Sequence, residues 1–336
     1  MSRILIIGGT GIIGKEMTNI LLENGGHEIV NVCRGTGGTE IKGVKTLLAD
    51  RTDLPDFEKT IRPEGTFDCV VDMICNHPAE ARQAVELFHG KTSQYIFCST
   101  AEVYDSRHME IPAGEDQPVG GIHPKYDFAL QKVLCEQVFD EACSSEFPVT
   151  VLRPSFTYCE GMPLFDLFGT GTGFIDRIRR GKKIIAHGDG TTLVSLTHRD
   201  DVAAAFVNAI GNTLAFEKKY NITGTEFLTW SRYYSILAWA NGFQEPEFVC
   251  IPTRNLIEMD PERTFMLSVR YSHHKVFDNS AAIHDLGFRY NIDWMEGSAR
   301  TVAWLEENKK IEDYREFPFY DALVDRWYKI TGYDHL

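Results

Sequence analysis

Seven residues near the start of the chain, Gly8-Gly9-Thr10-Gly11-Ile12-Ile13-Gly14, constrain its fold more than any other feature. They follow an apolar run at residues 4–7, which predicts a strand buried on both faces. They open a segment, residues 14–23, in which Met17, Ile20 and Leu21 share one helical face. Strand, glycine loop and helix in that order build an anion site. The glycines allow a tight turn, close backbone approach to a pyrophosphate and close helix–strand packing, and the helix N-terminus supplies amide donors and a positive dipole. Gly8, Gly11 and Gly14 take the glycine roles, with Thr10, Ile12 and Ile13 beside the phosphates.

The same alternation continues. Short apolar runs at residues 28–33, 44–49, 69–74, 94–99 and 149–152 read as strands, and residues 78–89 and 128–142 as helices. This predicts an α/β protein built on a doubly wound, Rossmann-like parallel sheet. Beyond Arg153-Pro154 the character changes: glycines cluster, a basic segment follows (Arg177, Arg179, Arg180, Lys182, Lys183), and the remainder is rich in Trp, Tyr and His. The expected organisation is a dinucleotide-binding lobe over residues 1–160 with a return at about 198–224. Residues 161–197 and 225–336 then form a smaller α/β substrate-binding cap, with a cleft between the lobes.

Composition narrows the partners. The 336 residues carry 34 Lys plus Arg against 48 Asp plus Glu, a formal charge of −14, which repels phosphate polymers and argues against nucleic acid. The eight cysteines contain no Cys-x-x-Cys pair, so thiolate metal ligation is not expected and a reducing compartment is. His273-His274 has no acid or Cys at ligand spacing, so no metal is expected there either. The apolar start is too short for a signal peptide, and no run reaches the roughly 18 apolar residues of a membrane helix. A soluble, cytoplasmic protein is expected.

The three-residue glycine spacing resembles the short-chain dehydrogenase/reductase superfamily, especially its extended branch, the NAD-dependent epimerase/dehydratase family of nucleotide-sugar enzymes. Further stretches carry the resemblance. The run from Phe97 to Tyr104 is similar to that family's fifth-strand motif, and Arg153-Pro154 with Tyr158 to its Arg-Pro-x-x-x-Tyr segment. The run from Gly188 to Val202 is similar to its Gly-Asp-Gly…His-x-Asp-Asp-Val stretch. The resemblance implies NAD or NADP as cofactor, a nucleotide sugar as substrate, and a homodimer. It implies that Thr100 hydrogen-bonds the sugar oxygen being oxidised, that Glu102 moves a second proton, and that Lys132 contacts the nicotinamide ribose. Asp50 would face the adenine, and Pro154 would close over the nicotinamide. Arg34, at the end of the second strand, suits the 2′-phosphate of NADP, whereas the family habit is NAD.

Two departures stand out. Tyr-x-x-x-Lys places phenol and ammonium on one helical face, but here Phe128 stands four residues before Lys132, with Glu136 four residues after. Tyr126 lies six residues before Lys132, roughly 120° off its face. Phe128 is therefore an engineered change, a natural one with Tyr126, His123 or Glu102 as base, or a mark of lost redox chemistry. The second departure is Val194, where many nucleotide-sugar enzymes carry an arginine for the diphosphate. Arg177, Arg179, Arg180, Lys182 and Lys183 could replace it, although a solvated helix face is the simpler expectation, and Asp200 and Asp201 are expected to cap the helix that follows. Three activities stay open: an epimerase or dehydratase with internal hydride return, a non-catalytic NAD(P)-sensing or RNA-associated protein, and an NADPH-dependent ketone reductase.

Overall fold

The computed structural model describes residues 2–36 and 41–332, which fall into two compact units. The first unit comprises Met1–Thr157, Arg199–Thr223 and Phe277–Asn291, and the second the three intervening and following segments, Tyr158–His198, Gly224–Val276 and Ile292–Leu336. The chain runs β1 (Ser2–Ile7), α1 (Ile12–Asn24), β2 (His27–Cys33), β3 (Lys45–Leu48), α2 (Leu54–Ile61), β4 (Cys69–Asp72), α3 (Pro78–Phe88), β5 (Tyr95–Cys98), α4 (Asp127–Ala142), β6 (Val149–Pro154) and β7 (Phe156–Tyr158). It continues through β8 (Leu164–Asp166), β9 (Gly169–Gly171), α5 (Gly173–Arg179), β10 (Ile184–His187), β11 (Leu193–His198), α6 (Arg199–Ala209) and β12 (Lys219–Ile222). It ends with β13 (Phe227–Thr229), α7 (Trp230–Ala240), β14 (Phe248–Ile251), α8 (Thr253–Met259), α9 (Ser280–Leu286), α10 (Trp294–Glu307) and α11 (Pro318–Thr331).

The first unit is a seven-stranded sheet in the order β12-β6-β5-β4-β1-β2-β3, every pair parallel. A parallel sheet is stable only with both faces covered, and β1 shows how the sequence achieves this. Ile4 and Ile6 join Met17 and Leu21 of α1 and Val202 and Phe206 of α6 on one face. Leu5 and Ile7 join Phe57 of α2, Ala84 of α3 and Phe139 of α4 on the other. Each such side chain contributes about 1.5–3 kcal/mol when fully buried. Because β1 is flanked by β2 and β4, the crossovers reverse direction beside it, and the carboxyl edge there is the switch point where such sheets bind ligands.

Two elements differ from the sequence reading. The expectation put all of residues 225–336 in the cap, whereas Phe277–Asn291 packs in the first unit. There α9 buries Ala282 and Leu286 in the core formed by α6 and β12. The signal was weak because only one face of a seven-residue helix is apolar. Helix α2 went unrecognised, although Asp53 caps it by accepting a hydrogen bond from the Asp56 amide at 3.1 Å.

In the second unit β8 and β9 form a hairpin, β10 pairs with β14 in parallel and β11 with β13 antiparallel. Its core is aromatic: Tyr233 and Trp294 stack at 4.4 Å, and the Trp294 indole donates to the Tyr233 carbonyl. Among the described residues no helix is long and apolar enough to cross a membrane.

Arg51, between β3 and α2, is a buried cation that clamps the first unit. It donates to the Gln83 side chain at 2.8 Å and the Glu80 carbonyl at 2.6 Å, lies 3.4 Å from Asp72, and packs on the Phe57 ring. Removing one partner of a buried ion pair leaves the other charge uncompensated. Arg51→Ala is expected to lower the unfolding free energy by about 3 kcal/mol, read from the shift in the urea midpoint at constant slope.

Candidate functional site in the first unit

Gly8 closes the turn after β1 with φ +88°, a conformation that disfavours any side chain. Its carbonyl accepts from the Gly11 amide at 2.9 Å, and α1 begins at Ile12, two residues before the sequence reading put it. A Cβ on Gly14 would lie 2.3 Å from the Gly8 carbonyl oxygen, so only glycine lets the helix start this close to the strand. No described side chain caps α1 and its first turn holds no acid. The N-terminal amides and their dipole therefore remain available to an anion. Thr10 and Ile13 are half-buried and Gly11 and Ile12 exposed. The loop thus presents uncapped backbone donors to an anion.

Asn31, near the end of β2, supports the loop from below and was missed in the sequence. It donates to Thr18 at 3.3 Å, and a Cβ on Gly9 would collide with its amide. A lone Asn in an otherwise apolar strand was the available signal. Arg34 is exposed just beyond β2. Asp50 accepts from both the amide and hydroxyl of Thr52, which holds its carboxyl below its ordinary range, with a smaller contribution from Arg34.

Lys132, in the second turn of α4, is buried, and its ammonium donates to the carbonyls of Cys75 (2.8 Å, after β4) and Cys98 (2.7 Å, the end of β5). Thr100, two residues on, caps a short turn over Ala101–Val103, its hydroxyl accepting from the Glu102 amide. Glu102 is 4% exposed, a buried carboxyl rather than a solvated one. Phe128 is 47% exposed, with its ring centroid 5.9 Å from the Lys132 ammonium, so the aromatic occupies the face where a phenol would meet that cation. Tyr126 sits at the N-cap of α4. Pro154 ends β6 in the interior.

Behind Lys132 lies a chain of buried polar groups. Arg153 grips Glu136 through two parallel hydrogen bonds, 2.9 Å and 2.5 Å, and Glu136 accepts a third from the Ser99 hydroxyl at 2.5 Å. Arg153 also donates to Tyr104, whose hydroxyl donates to Asn221 at 2.7 Å. Burial raises the Glu136 pKa, but the hydrogen bonds and charge of Arg153 outweigh it and hold the carboxyl below its ordinary value. Burial pushes Tyr104 up to about 12. Tyr104 is thus no substitute for the missing phenol.

Other expected residues do different work. Val194 is buried in β11, paired with Leu228. Arg177 is not on a solvated face: it is 2% exposed, bonded to Asp321 and stacked on Tyr320. Arg179 and Arg180 pair with Asp176, and Lys183 with Glu247. Asp201 lies inside the first turn of α6 and accepts from the backbone and side-chain amides of Asn291.

A parallel sheet, a glycine loop at its switch point and a buried lysine on α4 that reaches the ends of β4 and β5 fit a dinucleotide-binding protein of the extended short-chain dehydrogenase/reductase type. Residues 4–223 match the NAD dependent epimerase/dehydratase family, and the chain belongs to it. The chloroplast stem-loop binding protein of 41 kDa b from Arabidopsis thaliana is 28% identical over 309 residues, covering 88% of this chain and 77% of that protein. Human dTDP-D-glucose 4,6-dehydratase is 22% identical, covering 91% and 90%. Two solved structures share the fold. One is the UDP-glucose 4-epimerase of Thermotoga maritima with UDP-glucose (TM-score 0.68, 20% identity, 91% and 99% covered). The other is the Bacillus anthracis dTDP-glucose 4,6-dehydratase in complex with NAD (0.71, 17%, 92% and 98%).

Glu136 makes acid stability measurable. Its native pKa is depressed, so its contribution is present above the unfolded value near 4.3 and is lost as pH falls through the lower native value. Glu136→Gln is expected to cost about 3 kcal/mol at neutral pH by stranding Arg153. That gap from wild type should narrow below about pH 4, followed by chemical denaturation across the pH range.

Proposed function

We propose that the chain is an NAD(P)-dependent enzyme acting on a nucleotide sugar, an epimerase or dehydratase working through a transient keto sugar. The observation that carries this reading is the convergence of the glycine loop, Lys132, Thr100 and Glu102 on the carboxyl ends of β1, β4 and β5. Gly8, Thr10, Gly11, Ile12, Ile13 and Gly14 would hold the pyrophosphate, Lys132 the nicotinamide ribose, and Asp50 and Arg34 the adenosine end. When bound, the dinucleotide supplies an acceptor for the carbinol hydride and returns that hydride later. Thr100 would hydrogen-bond the sugar oxygen. Two carbonyls already occupy two of the three ammonium N–H groups of Lys132, leaving one for the ribose. Glu102, two residues from Thr100, would move the second proton and favours elimination, whereas Ala101 stands where many dehydratases place an acid and weakens it, so the two reactions stay close. Phe128 cannot accept a proton, so the carbinol proton passes to Tyr126, His123 or Glu102. NAD is supported by the similar structures solved with it, and NADP by Arg34.

A second reading rests on Phe128 together with the stem-loop binding relative: a family member that binds the dinucleotide without turning it over. The charge of −14 opposes an RNA partner for it.

Denaturing the purified protein and identifying the released small molecules by mass spectrometry is expected to yield NAD or NADP. Release of neither, with neither bound on titration, overturns both readings. Phe128→Tyr is expected to raise turnover on a sugar-nucleotide panel by about 100-fold, the usual scale of a restored general base. A dinucleotide-loaded variant that turns over none of the panel favours the second reading.

A further inference from the structure

Lys132 and Glu136 are one helical turn apart on α4, and both reach the same end of β5. The lysine donates to the carbonyl of Cys98, and the next residue along, Ser99, donates its hydroxyl to Glu136. Helix and strand end are thus joined by two rungs that run in opposite directions, cation to carbonyl and hydroxyl to carboxylate. Glu136 can serve as an acceptor at this depth only because Arg153, entering from β6, neutralises it through a two-pronged contact. Arg153 is itself oriented by Tyr104, which Asn221 of β12 holds in turn. Asn221 has no slack, since its side-chain amide donates to the carbonyls of Ala113 and Asp278. Three strands or strand ends and one helix are therefore tied, directly or through Tyr104, to a single carboxylate, and that carboxylate touches none of the atoms assigned to chemistry.

We infer that Ser99, Glu136 and Arg153 are positioning residues whose work is to fix the height of the Cys98 carbonyl, and through it the ammonium of Lys132. An apolar pair would hold α4 against β5 equally well at less desolvation cost, so the choice of a buried ion pair calls for a reason beyond stability. Direction supplies that reason. Van der Waals contact lets a helix slide by fractions of an ångström, whereas three charge-assisted hydrogen bonds of fixed geometry do not. The Phe97 ring, with its centroid 4.9 Å from the ammonium, packs against it from a further side. The inference rests on the assignment of Lys132 to the dinucleotide only for its functional consequence; the placement of the ammonium is testable in the empty protein.

Ser99→Ala removes the second rung without creating an unpaired charge. Pulsed acetic anhydride labelling, read by mass spectrometry, compares Lys132 with exposed Lys15 and Lys125 in the same sample. The variant is expected to raise Lys132 labelling on the order of tenfold relative to those references. Dinucleotide binding should weaken by a similar factor, and that loss should vanish in a Lys132→Met background, because the coupling runs through the lysine. Ser99→Thr, which keeps the hydroxyl, should restore both readouts. Unchanged Lys132 labelling in Ser99→Ala overturns the inference, as does an equal loss of dinucleotide binding with and without Lys132. Should Ser99→Ala not fold, Arg153→Lys keeps the charge but loses the fork and is judged by the same labelling. A protein that binds no dinucleotide overturns the proposed function, while the labelling result still decides this inference.

Discussion

A helix can begin within contact distance of a strand's carbonyl only where it carries no side chain, and the rest of the candidate site depends on that constraint at Gly14. A methyl group there would lie 2.3 Å from the Gly8 oxygen, far inside van der Waals contact, pushing α1 away from β1 and the first-turn amides with it. The apolar faces of α1 would then lose registry with Ile4 and Ile6, since Met17 and Leu21 are placed by the same helix axis. Loop geometry and core packing are one requirement here. The missing cap at Gly11 fits the same logic: a capping side chain would occupy the amides that an anion would use.

A second constraint is electrostatic. The chain buries Arg51, Lys132, Glu136 and Arg153 in one sheet domain, each at a cost that only dense hydrogen bonding offsets. Arg51 joins the central strand β4 to α2 and α3 and takes no part in the proposed chemistry. The inner group lies along the edge that receives the glycine loop. Phe128 is the anomaly in that group. The lysine is held by two carbonyls, Thr100 and Glu102 are buried close by, and the proposed function needs a proton acceptor where the chain carries a hydrocarbon ring partly open to solvent. A scaffold kept this ordered around a missing phenol points to a base that comes from elsewhere or to a site now used for binding.

Much of this was legible in the sequence because it is periodic or local. The strands of the first lobe are continuous apolar runs, and the glycine loop has a spacing that few other structures require. The fold class followed from those. What escaped was nonlocal. Nothing near Asn31 says that it faces the underside of a glycine; that depends on the register of β2 against β1. The basic run at Arg177 looks like a solvated helix face because its partners, Asp321 and Tyr320, are more than 140 residues away. The bond of Asp201 to Asn291 is likewise long-range and leaves no local trace. Helix α9 was too short to be distinguished from the polar sequence around it. Carboxylates, arginines and asparagines in strands are the general signal that was underweighted.

The return of residues 277–291 to the first unit has a consequence for how the chain is made. When a ribosome has released the first 157 residues, β6 is an open edge, with unpaired amides and carbonyls awaiting β12 more than 60 residues later. Asn221 then arrives with its two carbonyl acceptors incomplete, because Asp278 has yet to be synthesised. The sheet is therefore sealed late, by a strand and a short helix that arrive on either side of much of the second unit. A nascent chain in that interval exposes a strand edge, the kind of surface on which chains pair with one another. Its solubility during synthesis falls to the acidic excess of the sequence, a burden that the finished fold no longer places on it.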